Sequence, residues 1–191
     1  MADKPVAPPI TSDPAAVGLA GFGGTTLLLQ FHNLGWCGSG VVLWAALFFG
    51  GLAQLVAGLQ EFRTGNNFGY CVFTTYGAFW MTIAGIFLGL QYKILNITTT
   101  DIGWTLVMFT LITAIFFIGA MRRTGALAFT FFTLLIGFIL LDIGNLGGGT
   151  MWIKVAAIDL IICAFTAWYM MAHVILAQFN LTLPLGKPWI K

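Results

Sequence analysis

Polar and charged residues interrupt this chain at short intervals, and between the interruptions it is apolar. Six apolar stretches result. The first covers residues 14–31 and ends at His32-Asn33-Leu34-Gly35. The second covers 41–60 and stops at Glu61-Phe62-Arg63, before the tight polar turn Thr64-Gly65-Asn66-Asn67. The third, 68–91, ends at Tyr92-Lys93. A Thr-rich loop, 96–101, leads to the fourth at 102–121, which Arg122-Arg123-Thr124-Gly125 closes. The fifth, 126–143, is separated from the sixth, 151–178, by a Gly-rich loop at 144–149. Each stretch approaches the roughly 20 apolar residues that an α-helix needs to cross a bilayer. Asp13-Pro14 reads as a helix start, with Asp as the N-cap and Pro at the first helical position. The pattern predicts an all-α integral membrane protein of six transmembrane helices, with an N-terminal tail at 1–12, a membrane domain at 13–180 and a C-terminal tail at 181–191. The connections are too short to form a soluble domain.

Composition narrows the function classes. The chain has 191 residues, 59% hydrophobic and only 7% charged. A soluble domain is about 45–50% apolar and about 25% charged, so a soluble globular domain and a disordered chain are both excluded. The net charge of +2 is too small for a phosphate-binding footprint, which excludes a nucleic-acid partner. The lipid bilayer is the expected surrounding. Residues 1–12 are polar and contain no apolar signal-peptide core, so the first stretch is expected to stay in the membrane. Lys4, Arg63, Arg122, Arg123, Lys187 and Lys191 share one side of a six-span arrangement, against Lys93 and Lys154 on the other. The positive-inside rule then places both termini in the cytoplasm, as for a multi-pass protein of the plasma membrane. Asn96-Ile97-Thr98, a short match to a glycosylation sequon, falls on the opposite side.

Candidate chemistry is sparse. Cys37, Cys71 and Cys163 are widely spaced, with no CxxC or Cys/His cluster, so they read as small packing residues and no metal site is expected. His32 and His173 fall near opposite faces of the membrane, which argues against shared haem ligation. No catalytic motif is present, and the chain is expected to be neither an enzyme nor a cofactor carrier. Polar residues inside the spans need a reason. Phe22, Thr26 and Asn33 share one helical face beside Gly18, Gly21, Gly23 and Gly24. That face reads either as a packing surface with interhelical hydrogen bonds or as the lining of a narrow path. Gly50, Gln54 and Gly58 repeat every four residues, and Tyr76 and Trp80 lie one turn apart. Asp142 lies near the outer end of the fifth stretch. Lys154 and Asp159 in the sixth are expected to form an ion pair, with a proton or anion relay as the alternative.

Taken together, several runs resemble a known family. Asp13-Pro14-Ala15-Ala16-Val17-Gly18-Leu19-Ala20-Gly21-Phe22 is similar to the N-terminal signature of the acetate uptake transporter family, Asn-Pro-Ala-Pro-Leu-Gly-Leu-x-Gly-Phe. The likeness continues through His32-Asn33, Phe49-Gly50-Gly51-Leu52-Ala53-Gln54 and Gly65-Asn66-Asn67-Phe68-Gly69. It extends to Phe73-Thr74-Thr75-Tyr76-Gly77-Ala78-Phe79-Trp80 and Ile143-Gly144-Asn145, in the same order along the chain. The resemblance implies a homohexamer of six-helix protomers, each with its own path for acetate, succinate or another small carboxylate. It implies a hydrophobic constriction of Phe22, Tyr76 and Leu134. Thr26, Asn33, Gln54, Asn66, Thr75 and Trp80 are the solute-contact candidates. Asp13, Ala16 and Val17 depart from the signature, and His173 stands where the family pattern has Glu. Channel and proton symport both remain open, as do paths for formate, urea or ammonium and a scaffold without transport.

Overall fold

The computed structural model describes residues 12–191 and is all-helical over them. The N-terminal tail, including Lys4, lies outside the described residues except for Ser12. Six helices follow one another: α1 (Ala15–Asn33), α2 (Ser39–Thr64), α3 (Asn67–Gln91), α4 (Thr99–Met121), α5 (Gly125–Ile143) and α6 (Thr150–Ala177). All but α1 are long and apolar enough to cross a membrane. The chain is a multi-pass membrane protein. α1 falls short because Gly18, Gly21, Gly23, Thr25, Thr26 and Gln30 dilute its apolar residues, and these same residues are buried. It faces other helices rather than lipid.

Around the bundle the helices pack in the order α3, α2, α1, α6, α5, α4, and the backbones of α4 and α3 stay apart while side chains such as Tyr76 and Thr113 meet between them. Small residues allow the close approaches, as expected where lipid tails are as apolar as the helices. A Cβ at Gly21 would run into the Phe49 carbonyl of α2, and one at Gly23 would stand 2.6 Å from the Trp168 ring of α6. The middle of α2, Ala46–Ala53, is wound as a π-helix. Such segments widen a helix locally and often mark functional sites. Here Gly50 lies against Trp80 and Thr25, and Gln54 directly follows the widened turns.

The helix ends follow local chemistry with one shift. α1 begins at Ala15 with Pro14 in the cap position, one residue later than the sequence predicts, and Asp13 Oδ1 still accepts the Ala15 N–H at 2.9 Å. Thr98 and Asp101 form a capping box at α4. The segment 144–149, expected to be a loop, first continues α5 as a short π-turn over Gly144–Gly148 and then breaks at Gly147, whose φ is 121°. The expected Lys154–Asp159 ion pair is not made. Five residues is about 140° around a helix, so the two side chains leave α6 on different faces, and Asp159 Oδ2 is buried without a hydrogen-bond partner.

The C-terminal segment is packed as a strap across one end of the bundle. Leu185 C=O accepts the Ala126 N–H at 2.7 Å, Met121 C=O accepts the Trp189 N–H at 2.9 Å, and Tyr169 O–H donates to the Pro184 carbonyl at 2.7 Å. The Trp189 ring sits between Phe117 and Phe132, with centroids 6.1 and 5.9 Å away.

Candidate solute path

Two cavities lie along the bundle interior. The larger, about 250 Å³, opens at the end that carries the described termini. Its mouth is formed by Asp13, Asn66, Arg123, Thr124, His173 and Leu185, and its deeper wall includes Gln54, Phe131 and Met170. The smaller, about 20 Å³, lies further along α1 and has room for about one water molecule. Thr26, Gln30, Phe79, Trp80 and Phe138 are among its walls.

Phe22, Tyr76 and Leu134 are the residues that line both cavities. They come from α1, α3 and α5 and separate the two spaces. Phe22 and Tyr76 rings meet at 5.7 Å, tilted by 54°. Phe116 and Phe131 back the Tyr76 ring at 6.1 and 6.3 Å, and the tyrosine hydroxyl shares a hydrogen bond with Thr113 Oγ1 at 2.8 Å. That bond fixes the ring's position, because Thr113 is itself tied to the Phe109 carbonyl at 2.6 Å. All three residues at the junction are at most 7% exposed. The result is a collar of two aromatic rings and a leucine between the two cavities.

Polar groups without partners flank the collar. On the large-cavity side, Gln54 is fully buried and neither its Nε2 nor its Oε1 is hydrogen-bonded. On the small-cavity side, Thr26 Oγ1 and Trp80 Nε1 are likewise unpartnered. Buried polar groups without partners are rare in native interiors and call for an explanation. Asn66 holds the mouth together. Its Oδ1 accepts from Arg123 Nη1 at 3.0 Å and its Nδ2 donates to Glu61 Oε2 at 2.9 Å. Arg123 also lies over the Phe68 ring, 5.4 Å from its centroid.

The remaining predicted residues sit elsewhere. Asn33 donates to Gln30 Oε1 at 2.9 Å near the far end of α1, and Thr75 is half-buried on α3; neither lines these two cavities. His173 lines the large cavity, with its Nδ1 against the Leu183 carbonyl of the strap. Among the described residues no group of three or more His, Cys, Asp or Glu is arranged to hold a metal. Sequence reading did not single out Thr113, Phe131, Glu61 or Arg123 as parts of this site.

Residues 3–187 match the model of the GPR1/FUN34/yaaH family. The chain belongs to this family. Over 180 residues it is 38% identical to the succinate-acetate/proton symporter SatP of Escherichia coli K12, covering 92% of this chain and 96% of that protein. A solved structure described as the bacterial acetate channel SatP superposes with a TM-score of 0.88 at 38% identity, over 93% of this chain and all of the other. Members of the family bear different solute names. The chain is 29% identical to acetate permease A of Emericella nidulans and 33% identical to ammonia transport outward protein 2 of Saccharomyces cerevisiae, spanning 59% of each of those longer proteins.

Proposed function

We propose that this protein carries acetate and related small carboxylates across the plasma membrane, through the path between α1, α3 and α5. The carrying observation is the collar: Phe22, Tyr76 and Leu134 alone join the two cavities, and donors without partners stand on both sides of it. A carboxylate leaving water loses strong hydrogen bonds. Gln54 Nε2 before the collar, and Thr26 Oγ1 and Trp80 Nε1 after it, replace some of them. The collar itself admits a methyl group and excludes bulk water. Trp80 Nε1 and Arg123 only donate, which favours an anion over ammonium. The names of SatP and of acetate permease A support the same solute.

The mechanism is binding and release rather than chemistry, so the protein acts as a transporter and not as an enzyme. Six crossings with both termini in the cytoplasm follow from the positive-inside count and from the course of α1. A ring of six copies follows from the family resemblance, and each protomer keeps its own path.

Uptake of labelled acetate into proteoliposomes holding the purified protein tests the proposal. Saturable uptake above protein-free vesicles, competed by other small carboxylates, is expected. Folded protein that takes up no acetate overturns the reading and returns ammonium, formate or urea as candidates.

A further inference from the structure

Glu61 sits behind the mouth of the path and does not line it. The residue is 2% exposed. Its Oε2 accepts from Asn66 Nδ2 at 2.9 Å and from Thr64 Oγ1 at 3.3 Å, while Oε1 is buried with no partner. α3 closes over the carboxyl at Gly69, where a Cβ would stand 2.9 Å from Glu61 Cδ. The charged groups that face it from other elements are Asp13, just before α1, and Arg123, in the α4–α5 turn. Arg63, on its own helix, is exposed at the surface.

A carboxylate that serves only to hold a fold is expected to satisfy both oxygens or to touch a cation directly. Glu61 does neither. Arg123 reaches it through the Asn66 amide, in a chain of two hydrogen bonds. Asp13, Asn66 and Arg123 are all part of the large cavity's wall. The charge state of Glu61 is therefore felt at the place where a solute anion enters. With Glu61 ionised, two negative charges face one arginine, and the mouth repels a carboxylate. A proton on Oε1 removes one of those charges while Oε2 keeps its bond from Asn66. Arg123 is then free to hold the solute through charge-assisted hydrogen bonds.

We infer that Glu61 is a proton-binding residue whose protonation admits a carboxylate to the mouth of the path, so that proton and anion enter together. The inference rests on the carboxylate reading given above. Reciprocity requires that the bound anion, in turn, holds the proton on Glu61. No covalent bond changes: one proton arrives from water and leaves to water.

The test uses the full chain in proteoliposomes, with initial rates of labelled acetate uptake corrected for protein-free vesicles. An inward gradient of one pH unit is expected to stimulate the unsubstituted protein, up to the roughly tenfold drive of one coupled proton. Glu61→Gln keeps the side chain's shape and an acceptor for Asn66. It is expected to take up acetate without any stimulation by the gradient, whereas Glu61→Asp retains stimulation. A Glu61→Gln protein that responds to the gradient like the unsubstituted one overturns the inference. So does acetate uptake by the unsubstituted protein that ignores the gradient, which leaves the acetate path standing. If that protein takes up no acetate, the functional reading fails instead, and infrared titration decides Glu61 on its own. A protonated-carboxyl band that titrates with pH and is missing from Glu61→Gln retains it as a proton site; identical spectra overturn it.

Discussion

Gln54 has two hydrogen-bonding atoms and no partner for either, although the side chain is completely buried. Each such group costs about 1–3 kcal/mol relative to a satisfied one. A side chain kept at that cost beside a cavity is explained by a partner that comes and goes. The prediction separates stability from function. Gln54→Leu removes both unsatisfied atoms at similar volume, so the thermal midpoint of the purified protein is expected to stay level or rise. Acetate uptake is expected to fall by about tenfold or more, the loss of one hydrogen bond to a charged group. A lower midpoint with unchanged uptake shows that Gln54 is a packing residue with no solute to hold. The residues of the path that were legible in sequence are those spaced along one helix, such as Tyr76 and Trp80. Those that were not are joined across helices: Thr113 is 37 positions from Tyr76, and Arg123 is 57 from Asn66. Spacing along one helix also misled, because Lys154 and Asp159 are near in sequence yet leave α6 on different faces.

At the scale of elements, hydropathy located every helix end to within about four residues, the largest miss being the end of α2 at Thr64, because each must bury its own backbone polar groups in lipid. It gave no sign of the π-wound centre of α2, since winding changes hydrogen-bond register without changing composition. Nor did it show that the C-terminal segment docks. Pro184, Gly186 and Pro188 read as a loose tail, but Trp189 gives it an apolar anchor between Phe117 and Phe132. The ring is 46% exposed, so about half its area is withdrawn from water, worth about 1–2 kcal/mol. Trp189→Ala is expected to lower the thermal midpoint by a few degrees, since about 1 kcal/mol shifts a chain of this size by about 2–4 °C. It is also expected to expose residues 181–191 to added protease while the helices stay protected. An unchanged midpoint and digestion pattern would mean that the three backbone bonds to Met121 and Ala126 hold the strap without the ring.

The whole molecule turns on α1, the one helix whose composition does not announce a membrane span. Its 19 residues rise about 28 Å, close to the hydrocarbon thickness of about 30 Å. At its start, Asp13 and Ala15 share the cavity mouth with Arg123. At its end, His32 lies edge-on to Phe87, one turn before the end of α3, at a centroid distance of 5.8 Å. α1 therefore runs the height of the bundle, shielded from lipid by α2 and α6, and its polarity follows from that shielding. α3 is the one helix between Arg63 and Asn96, so these two residues are expected on opposite sides of the membrane, and a crossing by α1 is expected to put Arg63 on the side of the termini. Both residues are exposed. In a background with Cys37 and Cys71 replaced by serine and alanine, Asn96→Cys is expected to react with a membrane-impermeant thiol reagent on intact cells. Arg63→Cys is expected to react only after permeabilisation. The reverse pattern would invert the protein and set the positive-inside count aside. Reaction of both cysteines on intact cells would remove one crossing between them, and with it the continuous path from mouth to collar.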